Sequence, residues 1–513
     1  MLKLIKFAPF MMALAGGMIA AMALPPAHYI AAFFAGFSVF FLAFELIQSK
    51  RGAFFVGWLW GFGYFGIGLS WIGNALLVEG NGYAWAWPLA VMGLPAGLAI
   101  FTGIASMCAR QIFQHYSIAL RYVGFVVALA TAEWLRGHIF TGFPWNLAGS
   151  IWADSLEMLQ ILWPTSIYAL SLLTLFWAGL PALMWRARRN PCVIKPVLLV
   201  GLISVIATYG YGLHRVQTAE IGVIPDTYAH IIQPNIQQHE KWQADLMDRN
   251  FETHIELSTA KSLQSGTHLV VWPETAITQG YLDSEIAREK IQNMLQGYTG
   301  EAHLLTGALR YNKERDYFNS IVNVNAKGAV QSIYDKFHLV PFGEYIPFQN
   351  LIPIKTVSQF SGFKKGAGPQ TQKITGTLSI NPLVCYEIIF SGNVSDGDHA
   401  DLIVNVTNDA WYGVSAGPYQ HLAQAKFRAI EEGITVLRAA NTGVSVIISP
   451  LGMIESKTDL FQKDSLTSPL HERISKKSMD KTTINLAILI TQLGFLLFIC
   501  SVSHRKYRIN RKN

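Results

Sequence analysis

Three residues in the second half of the chain could do acyl-transfer chemistry if the fold brought them together. Cys385 closes the apolar run NPLV, Glu274 follows VVWP and Lys336 follows SIYD. A thiol with a pKa near ~8.5 is mostly protonated at neutral pH, and only the thiolate attacks well. It therefore needs a base or a neighbouring cation. Glu274 could take the proton, Lys336 could stabilise an anionic tetrahedral intermediate, and the backbone N–H of Tyr386 could be a second oxyanion donor. The product of such an attack is a thioester. Taken singly, each residue has a plainer reading. Cys385 could be a small core residue of a buried strand, and a lone Glu or Lys beside a strand end is usually a solvated charge.

Cysteine usage bears on that choice. Cys108, Cys192 and Cys500 lie in or beside long apolar runs, and Cys385 is alone in the polar part of the chain. With no disulfide partner there, it is a candidate reactive thiol.

The elements that must position these residues alternate in type. AHIIQPNI, THLVVWPET, AHLLTGALRY, NSIVNVNA and GAVQSIYD read as strands, as do stretches near 376–386 and 401–406. Helical patterns are predicted over 239–263, 283–295 and 418–432, and VSVIISPLGMI reads as two strands about a Pro-Leu-Gly turn. Strands apolar on both faces, alternating with helices, predict a layered α/β domain over 214–480. Glu274, Lys336, Cys385 and the NDAWYG segment (408–413) all fall at strand ends, where loops gather into binding crevices. A long irregular section, 345–377, holds Phe348, Leu351, Ile352, Phe360 and Phe363 among Gly and Pro, and suggests a lid dipping toward lipid.

The rest of the chain belongs to a different solvent. Of 513 residues, 51% are apolar and only 14% charged, against about a quarter charged in ordinary soluble proteins. Apolar runs long enough to approach bilayer thickness lie near 7–24, 29–48, 53–77, 86–108, 118–135, 159–185, 196–213 and 484–503. Lys3, Lys6, Lys50, Arg51, Arg110, Arg121, Arg186, Arg188, Arg189 and the basic tail then fall on one side, which basic-residue bias makes the cytoplasm. The expected domains are 1–213 with about seven spans, an external domain 214–480, and 481–513 with a last span and a cytoplasmic tail. These loops and the tail account for much of the net charge of +7, so it implies no nucleic-acid partner.

The order VVWPET, YDKFHLVPFGEYIP, CYE, then NVTNDAWYG and RAANTGVSVIISPLG, resembles the nitrilase superfamily. With apolar spans on both flanks and GFPWN (142–146) in an external loop, the resemblance narrows to the apolipoprotein N-acyltransferases of bacterial envelopes. It implies a polytopic α-helical membrane protein carrying a nitrilase-like four-layer αββα sandwich in the periplasm, anchored in the inner membrane. It implies Glu274 as general base, Lys336 as electrostatic stabiliser and Cys385 as nucleophile. Glu344 would support them, with Tyr386 and Glu387 lining or bracing the site, and Trp242 and Trp411 at the substrate. The acyl donor would be a membrane phospholipid and the acceptor the N-terminal amine of a diacylglyceryl-modified lipoprotein.

Other readings remain for several of these. Trp411 and Tyr412 could be core aromatics, Trp242 could pack its helix, and Glu344 could be a loop charge. His338 is read as a packing or surface residue rather than a base. A membrane-tethered amidase would use the same triad with water as acceptor, but it leaves eight spans unexplained. A transporter would carry ionisable residues in mid-span, whereas Glu45 and Glu133 lie near span ends. Neither an HExxH spacing, a thiolate cluster nor a phosphate-binding glycine fingerprint is present, so no metal or other cofactor is expected. Nothing in the sequence demands more than a monomer.

Overall fold

The structure is a computed structural model of the chain and describes all residues except 1, 80–81, 260–263, 348–361, 396–399, 475–479 and 511–513. The chain forms two units. Met1–Gly73, Pro88–Thr218 and Asp480–Asn513 make the first, and Asn74–Trp87 with Ala219–Met479 the second.

Apolar helices dominate the first unit. Among the described residues, five helices are long and apolar enough to cross a membrane: Ala84–Phe113, Ile118–His138, Ile167–Arg186, Lys195–Thr218 and Lys481–Ser501. Lys50–Gly68 and Ser70–Leu76, bent by 53°, form a sixth if taken as one span, and Phe7–Ala21 and Ile30–Leu46 are shorter apolar helices. Each of the eight apolar runs of the sequence thus falls on a helix. The run expected from 159 begins only at Ile167, because short turns occupy 156–162 and Pro164 cannot continue a helix begun there. Glu45 is paired at its helix end, 2.6 Å from Arg121 and 3.8 Å from Arg110. The GFPWN loop is fastened by Arg136, which donates to the carbonyls of Phe143 (2.6 Å) and Trp145 (2.7 Å).

Twelve strands build the second unit. They are β1 (Val223–Gln233), β2 (Gly266–Thr278), β3 (Gly300–Tyr311), β4 (Tyr317–Asn325), β5 (Val330–Asp335), β6 (Gln372–Lys373), β7 (Ser379–Val384), β8 (Leu402–Thr407), β9 (Thr435–Ala440), β10 (Val446–Ile448), β11 (Ile454–Lys457) and β12 (Asp464–His471). One sheet has the order β12-β1-β2-β3-β4-β5 and the other β11-β10-β9-β8-β7-β6. Strand alternation explains the layers. On β2, Leu269 and Val271 join Ile380, Val384, Val404 and Leu437 in the core that both sheets share. Val270 and Trp272 face the other way, onto Phe251, Ile291 and Leu295 of the outer helices. Helix Gly417–Glu432 packs on β9 of the second sheet. Helix, sheet, sheet, helix is the four-layer arrangement that strands apolar on both faces require.

Several elements differ from the sequence reading, among them the strand β6 inside the section expected to be irregular. Of the helix expected over 239–263, of which 260–263 lie outside the described residues, the structure shows Met247–Ser258, starting late because the chain before it turns inward and buries the Lys241 amine. β12 was not foreseen: Pro469 lies within it, and proline is tolerated there because β12 is an edge strand. Asn74–Trp87, although it includes the end of Ser70–Leu76 and the start of Ala84–Phe113, groups with these sheets, and Asn74 Nδ2 donates to the Tyr412 carbonyl (2.8 Å), 338 residues away.

Candidate active site

Glu274 sits where β2 loses its regular pairing with β3, between Trp272 and Ile277. Bulges of this kind re-aim side chains. The next residue, Thr275, has φ +48°. The irregular strand can lie this close to β3 because residue 307 is glycine. A Cβ there would stand 2.3 Å from the Pro273 carbonyl oxygen and 2.6 Å from Glu274 Cα. Gly307→Ala is therefore expected to push Glu274 out of position and slow any covalent reaction of the Cys385 thiol that relies on it as base about 10²-fold, measured by mass spectrometry of Cys385.

Lys336 follows the last residue of β5, and its N–H donates to the Asn319 carbonyl on β4 (2.8 Å). Its Nζ lies 2.9 Å from the Glu344 carboxylate, which also accepts from the Val340 N–H (2.8 Å). Asn319 joins the two halves: its Nδ2 is 2.7 Å from Glu274 Oε1 and 3.1 Å from Glu344 Oε1. Nothing in NSIVNVNA marks Asn319 as a bridge, since an asparagine alternating with apolar residues reads as solvent-facing.

Cys385 follows the last residue of β7 and begins a short 3-10 turn, Cys385–Ile389, with φ +52°. That backbone conformation is costly for a residue with a side chain and collects at functional sites. Glu387 braces the turn. Its Oε2 accepts from the Val384 N–H (2.7 Å) and its Oε1 from the N–H groups of Phe337 (2.8 Å) and His338 (3.0 Å) and from Tyr334 (2.8 Å). Tyr386 packs its ring on Phe390, centroids 5.1 Å apart. His338 stacks on the same ring at 3.8 Å, which agrees with a packing role.

Burial and charge set the protonation of the cluster. Burial pushes the Cys385 thiol up to about 12, Glu274 pushing the same way and Lys336 opposing. Burial likewise raises Glu274, with Lys336 working against it. For Lys336 burial acts downward, but Glu344 and Glu274 outweigh it and hold the ammonium above the ordinary lysine range. Burial thus keeps the thiol protonated, while Glu344 and Glu274 keep the Lys336 ammonium charged. Glu274, when ionised, can accept the thiol proton, and the ammonium can answer the negative charge that follows.

One buried amine beside this cluster escaped the sequence reading. Lys241 Nζ donates to the Glu274 carbonyl oxygen (2.8 Å), and burial lowers it to about 8 against the opposing pull of Glu274 and Cys385. In sequence it reads as a surface charge of an amphipathic helix. Trp242, half-buried, follows it and lines a crevice with Pro273 and Thr275, the residues on either side of Glu274. Trp411, also half-buried, lies in the turn Asp409–Tyr412 after β8. The structure therefore gathers Glu274, Lys336, Glu344, Cys385 and Glu387, and leaves the two tryptophans on flanking turns. Phe348, Leu351, Ile352 and Phe360 of the expected lid lie outside the described residues. Phe363 is described, and its N–H donates to the Glu344 carbonyl (2.9 Å).

Two family models match the chain. Residues 230–475 match the carbon-nitrogen hydrolases, and residues 16–180 match the N-terminal domain of apolipoprotein N-acyltransferases. Among similar proteins, the apolipoprotein N-acyltransferase of Allorhizobium ampelinum is 36% identical over 474 residues, 87% of each chain. That of Rhizobium rhizogenes is 36% identical over 486 residues, 90% of this chain and 89% of its own. That of Rhizobium meliloti is 33% identical over 524 residues, 97% of this chain and 96% of its own.

Proposed function

We propose a division of labour among these residues from one premise: the chain belongs to the apolipoprotein N-acyltransferase family. The reaction moves a fatty acyl chain from a membrane phospholipid to the N-terminal amine of a lipoprotein. The observation that carries the residue roles is the buried chain Lys336–Glu344–Asn319–Glu274, whose charged ends both act on the Cys385 thiol.

In the first half-reaction Glu274 takes the Cys385 proton as sulfur attacks the ester carbonyl. Negative charge gathers on the carbonyl oxygen, where Lys336 and the Tyr386 N–H stabilise it. Collapse expels the lysophospholipid alkoxide, which receives the proton from Glu274, and leaves the acyl group on sulfur. In the second half the α-amine of S-diacylglyceryl-cysteine attacks the thioester and Glu274 takes the amine's proton. The amide forms and the proton returns to sulfur. Glu344 holds the Lys336 ammonium, and Trp242 and Trp411 contact substrate.

Both substrates carry acyl chains that favour the bilayer by about 0.8 kcal/mol per buried CH₂, so the chemistry belongs at a membrane. The basic residues between the apolar helices support an inner-membrane topology with both termini cytoplasmic and residues 214–480 periplasmic. The monomer suffices for the chemistry, since every residue assigned a role lies in one unit.

Mass spectrometry of the protein after incubation with phospholipid tests the roles. A hydroxylamine-labile acyl mass on Cys385, discharged to the amine of a diacylglyceryl-cysteine peptide, is the expected result. Discharge to water alone would mark an amidase, and no adduct would return Cys385 to the strand core. The pH profile is a second check. Glu274 must be ionised to act, and its pKa lies above the ordinary carboxylate range. Acylation should therefore be lost, as pH falls, at a higher pH than a solvent-exposed glutamate would give. Lys336 is held above its ordinary value, so no falling limb from its deprotonation should appear below about pH 10. Single-turnover acylation rates across pH read both limits.

A further inference from the structure

The carbonyl oxygen of Cys385 is gripped from behind. Asn405 Nδ2, on β8, lies 3.4 Å from it and 3.2 Å from the Leu383 carbonyl, so its two N–H groups reach both, and His421 Nε2, on helix Gly417–Glu432, lies 3.2 Å from the Cys385 oxygen. A carbonyl oxygen only accepts, so His421 Nε2 carries a proton whichever state its other nitrogen takes. Behind these donors, His421 Nδ1 is 2.9 Å from Asp409 Oδ1 and Arg438 spans the set. It donates to Asp409 Oδ2 (2.8 Å) and to Asn405 Oδ1 (2.6 Å). All four side chains are buried. Apart from Arg438 Nε, the polar atoms of this set that face one another are paired, and a buried network so paired favours a single arrangement.

That arrangement has a geometric consequence one atom pair away. The Cys385–Tyr386 peptide is trans, and in a planar trans peptide C=O and N–H point in opposite directions. Holding the Cys385 oxygen toward Asn405 and His421 holds the Tyr386 N–H away from them. A flipped peptide would instead turn its N–H against two N–H donors. We propose that Asn405 and His421, backed by Asp409 and Arg438, are positioning residues that clamp the Cys385 carbonyl and so aim the Tyr386 N–H at the oxygen on which charge develops. The inference rests on Cys385 as nucleophile and adds the residues that set its oxyanion donor. The left-handed backbone at Cys385 gives the clamp its purpose, because a strained peptide left unheld can relax by turning.

Two rates measured on the same sulfur in the detergent-solubilised full chain separate this role from a merely structural one. Acylation by phospholipid passes through an oxyanion; alkylation by iodoacetamide displaces iodide at a saturated carbon and forms none. Both scale with the thiolate present, so their ratio reports the oxyanion donors alone. His421→Leu and Asn405→Asp are expected to lower that ratio by about 10- to 100-fold, as weakening one such donor does. His421→Gln, which keeps an N–H, should stay within about fivefold of the parent. Asn405→Asp preserves the side-chain shape and the Arg438 partner, so it decides the matter if His421→Leu does not fold. A ratio unchanged in Asn405→Asp, or a fall as deep in His421→Gln as in His421→Leu, overturns the clamp. A parent protein that takes no acyl group on Cys385 overturns the nucleophile reading as well, and shows it before any variant is made.

Discussion

Cys385→Ala should lower the rate of acyl transfer by on the order of 10⁴-fold or more, the loss that follows removal of a covalent nucleophile. Without sulfur there is no thioester, and neither Glu274 nor Lys336 can substitute for it. The fold should barely notice. Cys385 is 8% exposed in the core between the sheets, and deleting one atom from such a site costs on the order of 1 kcal/mol. Cys385→Ser tests a finer point. A hydroxyl is far less acidic than even a buried thiol, so a carboxylate base is poorly matched to it, and activity should remain close to that of the alanine variant. Transfer assays paired with thermal unfolding of both variants check the expectation. Retained transfer in the alanine variant would remove Cys385 from the chemistry; retained transfer in the serine variant would show that the site can activate a hydroxyl.

Glu387→Gln should have the second largest effect, and for an unusual reason: one carboxylate serves two parts of the site. Oε1 holds the two N–H groups that follow Lys336 in the chain, and Oε2 holds the N–H that precedes Cys385. An amide can present only one acceptor oxygen. Its NH₂ would face either the Val384 N–H or the N–H pair of Phe337 and His338, donor against donor. A buried unsatisfied donor costs about 1–3 kcal/mol, so the variant should lose about 2–4 kcal/mol. In a domain of this size that is on the order of 5–10 °C in unfolding temperature. Activity should fall about 10²-fold, because Lys336 and Cys385 lose the group that fixes their spacing. Differential scanning fluorimetry and single-turnover acylation read the two effects. A stable variant with parental activity would show that Glu387 braces nothing.

How legible all this was in the sequence varied residue by residue. Lys336 and Cys385 stand out because each follows an apolar run at a strand end, where a buried strand hands its chain to a loop; Glu274 stands out likewise, but the structure places it inside β2, at the irregularity before Ile277, and not at the strand's end. Their grouping needed the resemblance, since strand ends announce a crevice without saying which of them meet. Asn319 and Asn405 were invisible for the opposite reason. An asparagine beside apolar strand residues looks solvent-facing; the buried carboxylates of Glu274 and Glu344 make the Asn319 amide a bridge, and Arg438 with the carbonyls of Leu383 and Cys385 occupies the Asn405 amide. His421 and Arg438 were hidden likewise: helix Gly417–Glu432 carries polar residues on every face, yet His421, Arg428 and Glu431 are fully buried. The pattern that marks a surface helix here marks one held by internal charge pairs such as Arg428–Glu431 (3.2 Å). Lys241 was misjudged as part of a longer helix because its partner is a backbone carbonyl, which leaves no trace in residue types.

The grouping of Asn74–Trp87 with the sheets bears on the order in which the protein can be made. Asn74 and the Tyr412 carbonyl it binds are 338 residues apart. At a ribosomal pace of about 5–20 residues per second, roughly 20–70 s separate their synthesis. The early segment must therefore be delivered and kept waiting while most of the chain is still untranslated. The unit that carries the chemistry is not one continuous piece of gene: a fragment encoding 219–479 alone omits part of its own fold. Maturation is then a late event, possible only after the ribosome has passed residue 412, and the enzyme has no early, partly synthesised form with a finished site.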